Sequence, residues 1–308
     1  MPLAIAPAAP ALDTETPATP QKSRADRPRF FPILWFGGLH VACLLVLWVG
    51  FSWVAVAVAV AFYALRMFAI TAGYHRYFSH RSYETGPVFR LFLGIVGAMA
   101  VQKGPRWWAS THRRHHRYSD GPLDVHSPRR RGFWWSHVGW ILATSHTETD
   151  GHAVRDLEKL KEIRWLEWGH WIPPVLAAVG LWFLGTWLGS SHPGLGTSAP
   201  QMLVWGFIVS TVFVYHGSWS VNSVLHVFGR RRFDTGDDSR NNFWVALYTF
   251  GEGWHNNHHR YASSARQGFY FGEIDLSYGV IRLLEMVGIV WNVRRPSQAV
   301  LVEGRPQR

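Results

Sequence analysis

Nine histidines in four short clusters are the residues of this sequence best suited to chemistry. The chain holds 17 histidines among its 308 residues. The four clusters are His75-Arg-Tyr-Phe-Ser-His80, His112-Arg-Arg-His115-His116, Asn222-Ser-Val-Leu-His226 and His255-Asn-Asn-His258-His259. Imidazole is a good ligand for iron, copper and zinc. Because a zinc ion takes about four ligands, nine imidazoles predict two metal ions with four or five ligands each, and the residues alone leave the metal open.

The spacing within each cluster predicts which rings can share an ion. On an α-helix, residues three or four apart lie on the same face, so the first histidine of each H-x-x-H-H segment can bind one ion while its neighbours bind the same ion or the next. His75 and His80 project about 140° apart on an α-helix, and this pair is therefore predicted to straddle two ions. The other eight histidines lack such spacing and are not predicted as ligands: His40, His126, His137, His146, His152, His170, His192 and His216.

Long apolar runs indicate the elements that must position these clusters. Four runs have about the 20 residues that a helix needs to cross a bilayer, and they cover 31–50, 52–72, 171–189 and 202–226. The second run alternates Val and Ala like a strand, but a lone strand cannot cross lipid with its backbone unpaired, so a helix is predicted. The stretch 86–101 is short and carries Arg90. It is predicted to be a re-entrant or interfacial helix, with a fifth span as the alternative.

The distribution of charge predicts how the chain crosses the membrane. The net charge is +11, and the links between runs one and two and between runs three and four carry no charge. The basic residues lie in the N-terminal tail, in 73–170 and after residue 227. The positive-inside rule therefore places both termini and 73–170 in the cytoplasm, and nucleic-acid binding is disfavoured. Arg66, inside the second run, is predicted to snorkel toward the basic face.

These patterns predict an all-α integral membrane protein. Four transmembrane helices carry a cytoplasmic helical cap that holds the histidine metal centre. Residues 1–28, rich in Ala, Pro and Thr, are predicted to form a disordered tail, 29–295 the membrane domain and 296–308 a C-terminal tail. The single cysteine, Cys43, excludes an intramolecular disulfide and cysteine-based metal motifs.

The order of the clusters resembles that of the acyl-CoA desaturases of the stearoyl-CoA desaturase type. The likeness extends beyond the histidines to the segments ITAGYHRYFSHRSYET, HSPRRRGFWWSHVGW, VNSVLH and GEGWHNNHH, and it covers residues 30–295. It implies a non-haem diiron centre, with O2 as co-substrate and with Asn222 reaching one iron through water. The implied iron ligands are His75, His80, His112, His115, His116, His226, His255, His258 and His259.

The resemblance also implies a bent acyl tunnel beside the irons. Trp108, Trp219 and Gln102 match the family's tunnel residues, and Tyr63 and Met67 are our hypothesis for the closed end, with packing against lipid or another span as the alternative. One departure is the segment QKGPRWWAST, which lacks the Arg-Asp pair of the animal enzymes. This departure leaves the contacts to coenzyme A undefined.

The predicted function is O2-dependent desaturation of a saturated acyl chain. An unactivated CH2 group has no acidic proton, so the chemistry belongs to the metal centre and no separate side-chain acid or base is predicted. The resemblance implies a cis double bond at carbon 9 of an acyl-CoA thioester, and lipid- or carrier-protein-linked chains are alternatives. An external electron donor of ferredoxin, rubredoxin or cytochrome b5 type is predicted because the sequence has no haem, flavin or iron–sulfur motif.

Two rival functions remain open at this point. A diiron fatty acyl hydroxylase would use the same ligands and yield an alcohol. A histidine-rich metal transporter is disfavoured because runs one and three contain no acidic or basic residue. The predicted location is a bacterial inner membrane in preference to the endoplasmic reticulum.

Overall fold

The computed structural model of the chain describes residues 27–143 and 148–305, and most of the predicted tail 1–28 lies outside these ranges. Within the described residues, four helices are long and apolar enough to cross a membrane. We call them the first to fourth spans: Phe30–Val49, Trp53–Ser79, Ile172–Ser191 and Ala199–His226. The four predicted runs are confirmed. The second span continues past its predicted end and so carries His75 within the helix.

Residues at the helix ends fix the bounds of the spans. Gly50 has a φ of 72° and ends the first span, because a side chain is disfavoured in that conformation. The hydroxyl of Ser52 then accepts from the backbone nitrogen of Ala55 at 3.3 Å and caps the second span. The third span begins at Ile172 with prolines in its first turn, where their missing N–H groups have no intrahelical partner to lose.

The second and fourth spans are joined by a buried arginine. Arg66 is 0% exposed, and its guanidinium donates to Thr211 Oγ1 at 2.7 Å and to Ser210 Oγ at 2.5 Å. It also donates to the carbonyls of Phe62 at 3.1 Å and Met99 at 3.4 Å. The predicted snorkelling of Arg66 is wrong, because these acceptors on the fourth span and the loop after residue 98 satisfy the guanidinium inside the protein.

Replacing Arg66 by leucine is expected to destabilise the protein by about 2–4 kcal/mol, since several buried acceptors lose their donor. The measurement is the melting temperature in detergent. Leu65→Ala, on the exposed side of the same helix, is the matched control and is expected to change little. A melting temperature of the Arg66→Leu protein equal to that of the control would show that the guanidinium does not hold the spans together.

The remaining helices form a cap at one end of the spans. In chain order they are α1 (Pro87–Ala98), α2 (Pro105–Tyr118), α3 (Pro128–Arg131), α4 (Trp140–Leu142), α5 (Arg155–Glu158), α6 (Lys161–Trp168), α7 (Phe243–Tyr248), α8 (His255–Arg260), α9 (Leu276–Met286) and α10 (Gln298–Glu303). A π-helical turn, Trp135–Gly139, precedes α4. Strands β1 (Glu84–Thr85) and β2 (Val290–Trp291) pair antiparallel, with Glu84 opposite Trp291.

Helices α1 and α10 lie in segments for which the sequence predicted a short helix and a C-terminal tail. α1 has 12 residues, fewer than the roughly 20 that a span needs, and its Arg90 pairs with Glu162. The alternative of a fifth span is therefore not supported. α10 lies in the segment predicted as a C-terminal tail, yet Val300 is buried beside Phe233 and Phe269. This part of 296–308 packs on the domain.

Candidate metal centre

The end of the second span is π-helical from Ala69 to Ser79. A π-helix bonds each N–H to the carbonyl five residues earlier, and the backbone nitrogen of His80 donates to the carbonyl of His75 at 3.2 Å. Residues five apart are then almost one full turn apart, so the two rings lie on the same side with centroids 4.9 Å apart. The prediction that His75 and His80 straddle two ions is wrong, because it assumed an α-helix.

All nine predicted histidines converge in two groups. Within each group the candidate ligand atoms lie within 4.8 Å of one another. The five-histidine group is His75, His80, His112, His116 and His258, and the four-histidine group is His115, His226, His255 and His259. Each H-x-x-H-H segment gives its first and last histidines to one group and its middle histidine to the other, as the helical spacing allowed.

The Nε2 atoms point toward the centre of each group. In the five-histidine group, His258 Nε2 lies 3.0 Å from His75 Nε2 and 2.9 Å from His116 Nε2. In the four-histidine group, His226 Nε2 lies 3.1 Å from His255 Nε2. Two nitrogens bound to one ion at about 2.1 Å, the usual length for imidazole, lie about this far apart when their bonds are perpendicular. The rings are therefore spaced for a shared ion.

Buried carboxylates fix the tautomers of four of these histidines. Glu252 contacts His75 Nδ1, and Asp124 lies 3.1 Å from His115 Nδ1. Two further contacts join Asp120 to His226 Nδ1 at 2.8 Å and Asp237 to His259 Nδ1 at 2.6 Å. A histidine that donates its Nδ1–H to a carboxylate presents the lone pair of Nε2 to a metal. This donor set, neutral nitrogens facing inward and backed by carboxylates, fits a metal centre.

Burial keeps most of the candidate ligands free of protons. Burial lowers the pKa well below its ordinary value for five of the histidines, and neighbouring imidazoles lower it further: His80, His112, His116, His255 and His258. Burial also lowers the pKa of His259, to about 4. Burial alone would raise the pKa of Asp124, but His115 and His126 hold it far below its ordinary value. Neutral imidazoles beside ionised carboxylates are the forms that bind a cation.

These shifts predict that the metal-free protein loses stability in mild acid. In the folded protein these buried imidazoles stay neutral, whereas in the unfolded chain they bind protons below about pH 6.5. The free energy of unfolding therefore has its full value above that pH. Below it, the free energy of unfolding falls by about 1.4 kcal/mol per pH unit for each such histidine. His115 has the opposite effect on stability. Burial lowers its pKa, but the nearby Asp124 carboxylate raises the pKa by more, so the folded protein holds a proton there. The melting temperature of the metal-free protein is expected to drop steeply between about pH 7 and about pH 5.5. A flat profile there would contradict the neutral, buried assignment.

A cavity of about 200 Å³ leads to the five-histidine group, and His75 and His112 line it. Its other lining residues are mostly apolar and include the predicted residues Met67, Gln102, Trp108, Trp219 and Asn222. Tyr63 is not among the lining residues. Its hydroxyl donates to the carbonyl of Tyr248 at 2.6 Å, and both this hydroxyl and the Met67 side chain lie beside Gly217.

Contacts around the cavity orient its polar and aromatic residues. Gln102 Oε1 accepts from Ser218 Oγ at 3.0 Å and from Trp108 Nε1 at 3.4 Å. The indole of Trp108 stacks on the ring of His112, with centroids 5.1 Å apart. The walls of the cavity are thus tied directly to a candidate metal ligand.

Sequence reasoning missed the carboxylates that support the histidines. Asp120 and Asp124 follow cluster two within eight residues, and Glu252 precedes cluster four by three residues. That proximity to the clusters was the available signal. Asp237 lies between clusters with no such signal. His126, which was not predicted as a ligand, lies beside His115 and Asp124, close enough for the three to form a third candidate group.

The fold and the site define an integral membrane protein with a candidate histidine metal centre beside a mostly apolar cavity. A family model described as fatty acid desaturase matches residues 51–267. The chain therefore belongs to the fatty acid desaturase family, as the sequence resemblance predicted.

Several curated relatives are similar over most of their length. An acyl-CoA 5-desaturase of Anemone leveillei is 40% identical over 272 residues, which cover 87% of this chain and 80% of the relative. An sn-1 stearoyl-lipid 9-desaturase of Anabaena variabilis is 38% identical over 264 residues, 85% and 92% of the two chains. A hex-5-enoyl-[acyl-carrier protein] acetylenase of Moorena producens is 36% identical over 286 residues, 87% and 85%. Their names span three acyl carriers and more than one position of unsaturation.

Proposed function

We propose that the chain is an O2-dependent desaturase that places a cis double bond at carbon 9 of a saturated acyl chain, with acyl-CoA as the substrate form. The observation that carries the proposal is the mostly apolar cavity that is lined by His75 and His112 of the five-histidine group. Such a cavity fits a substrate without polar handles along its reacting part.

The donor set fits two irons, one held by each histidine group, with Asn222 reaching one of them through water. Imidazole suits iron, and four or five neutral nitrogens leave room for O2. When bound, the iron pair would supply the oxidising power that an unactivated CH2 group requires. The overall change converts one CH2–CH2 unit, one O2, two electrons and two protons into one CH=CH unit and two waters. The electrons come from an external donor of ferredoxin, rubredoxin or cytochrome b5 type.

The side chains of the cavity supply orientation and dryness. Trp108 and Trp219 confine the acyl chain between rigid aromatic walls, and Gln102 is held in place by Ser218 and Trp108. Holding one carbon pair beside the metal centre is what selects the position of the double bond. The mostly apolar walls exclude water from the reacting carbons.

The closed end of the cavity is proposed to measure chain length. Met67 is fully buried and lines the cavity, and its side chain and the Tyr63 hydroxyl both lie beside Gly217. Replacing Met67 by alanine removes the floor and is expected to shift the preferred substrate to a longer chain. The measurement is the chain-length distribution of the unsaturated products.

Met202→Ala provides the control for this shift. Met202 is also fully buried but does not line the cavity, so its replacement is expected to leave the distribution unchanged. An identical distribution for Met67→Ala and the unsubstituted protein would place the floor elsewhere.

The function as a whole is tested by expression in a host that lacks its own desaturase. Fatty acids are then identified by mass spectrometry with localisation of the double bond, in the acyl-CoA, phospholipid and carrier-protein pools separately. A new monounsaturated acid, first seen in the acyl-CoA pool and unsaturated at carbon 9, is the expected result. Hydroxy acids would overturn desaturation, and first appearance in the lipid pool would replace the proposed substrate form.

The proposed topology follows from the basic cap. The cap and both termini face the cytoplasm, and the location is a bacterial inner membrane, as the positive-inside rule predicts. Cysteine labelling from either side of the membrane, with one cysteine introduced at Ser190 and another at Arg230, tests this orientation. Labelling of the Arg230 position from outside would reverse the assignment.

A further inference from the structure

Among the residues that the structure describes, unequal numbers of carboxylates support the two histidine groups. One of these carboxylates, Glu252, contacts the five-histidine group. Three carboxylates contact the four-histidine group, namely Asp120, Asp124 and Asp237. All four acidic residues are at most 7% exposed, so bulk water screens none of these charges effectively.

The single carboxylate at the five-histidine group is paired with a buried arginine. Arg76 Nη2 lies 3.2 Å from Glu252 Oε1 and 3.0 Å from Asp275 Oδ1. The guanidinium is 0% exposed, so it offsets one of the two negative charges of Glu252 and Asp275. One uncompensated negative charge therefore remains beside the five-histidine group before any metal binds.

The three aspartates at the four-histidine group have no such cation. Among residues 27–143 and 148–305, their ion-pair partners are histidines alone: His226 for Asp120, His115 and His126 for Asp124, and His259 for Asp237. Their other hydrogen bonds come from neutral groups: the hydroxyls of Ser127 and Thr235 and the backbone nitrogens of Asp120, His126, Asp238 and Ser239. A buried charge is normally paired or supports a metal, and a bound ion would supply the positive charge that these aspartates lack.

From this charge difference we infer that the four-histidine site binds its metal ion first and more tightly, and that Asp120, Asp124 and Asp237 are the positioning residues responsible. The inference rests on the proposed two-metal function. The five-histidine site has one more imidazole ligand, whereas the four-histidine site has two more supporting carboxylates. We expect the two extra negative charges to outweigh the one extra neutral ligand. Each such partner typically changes metal affinity by about 10–100-fold. The site that lines the cavity is then the weaker one, and the tighter ion lies behind it.

The direct test locates the first ion. The full-length chain is purified in detergent, stripped of metal with a chelator and given one equivalent of Co2+, and anomalous diffraction locates the cobalt. The expected result is cobalt between His115, His226, His255 and His259, with a second equivalent filling the other group. Cobalt in the five-histidine group at one equivalent, or equal occupancy of both groups, would overturn the inference.

Matched substitutions test the cause. In a competitive Co2+ titration, Asp237→Asn is expected to weaken the tighter step by about 10–100-fold and to leave the weaker step unchanged, whereas Glu252→Gln is expected to weaken only the weaker step. Rescue of the tighter step by Asp237→Glu separates the charge from packing. If Asp237→Asn does not fold by circular dichroism, Asp124→Asn takes its place.

The outcomes separate this inference from the proposed function. Two ions bound with equal affinity, or an unchanged tighter step in Asp237→Asn, would overturn the charge argument and leave the desaturase proposal intact. A folded chain that binds fewer than two ions would overturn the two-metal function itself.

Discussion

Replacing His258 by alanine is expected to lower the formation of double bonds to below about a hundredth of the unsubstituted level, since loss of a direct ligand exceeds the 10–100-fold effect of its supporting partners. His258 is 1% exposed, and its Nε2 lies within 3.0 Å of Nε2 atoms on two other elements, in His75 and His116. Its removal therefore opens the centre of the five-histidine group. The measurement is the unsaturated fraction of the host lipids, together with the iron content per purified chain.

The control for this prediction is a histidine outside the metal centre. His192 is exposed at the end of the third span, where its ring lies against Trp187. The His192→Ala protein is expected to keep both its iron and its activity. If the His258→Ala protein forms double bonds at the control rate, the five-histidine group is not the reaction centre.

Replacing Arg76 by methionine is expected to destabilise the protein by about 3–5 kcal/mol, because it leaves buried carboxylates without their cation. Arg76 forms ion pairs with Glu252 and Asp275, whose side chains are 6% and 3% exposed. The measurement is the melting temperature of the metal-free protein in detergent.

Arg81 offers a matched comparison five residues further along the chain. It pairs with Asp156, but its side chain is 60% exposed, and an exposed pair of this kind contributes at most about 1 kcal/mol. Arg81→Met is therefore expected to melt close to the unsubstituted protein. Equal losses in the two variants would mean that burial does not decide the strength of these pairs, contrary to our account of the site.

The sequence predicted the parts of the molecule that depend on composition and spacing. Apolar length was sufficient to place the four spans, and the H-x-x-H-H spacing allowed each segment to contribute to two histidine groups, as the structure shows. It failed at His75 and His80 because nothing in the local pattern distinguishes a π-helical turn from an α-helical one. The wider turn is stabilised by tertiary contacts, such as the hydrogen bond from Tyr83 to the carbonyl of Ala72.

The buried polar residues were the other limit of sequence reasoning. Arg66 was predicted to snorkel because no acceptor for it was evident in the nearby sequence. Its acceptors Ser210 and Thr211 lie more than 140 residues further along the chain. Asp237 carried no signal for the same reason, since only the folded chain brings it to His259. Long-range polar contacts of this kind arise from the tertiary structure and leave no periodicity in the sequence.

The roles of the predicted substrate residues remain a proposal, and the structure gives their positions relative to the cavity. Met67, Gln102, Trp108 and Trp219 line one cavity, whereas Tyr63 is not among its lining residues and lies near Met67 at Gly217. The chain-length experiment on Met67 therefore addresses the closed end directly. Tyr63 is expected to act only through Met67, by limiting how far that side chain can move.

The most direct test of the central claim is the product formed under heavy-oxygen-labelled O2. The purified, iron-loaded protein is supplied with a saturated acyl-CoA and a reduced electron donor, and the acyl product and the water are analysed by mass spectrometry. We predict an acyl chain that has lost two hydrogens and carries no label, with the heavy oxygen recovered in water. A hydroxylated chain that carries the label would contradict desaturation and make the protein a hydroxylase built on the same histidines.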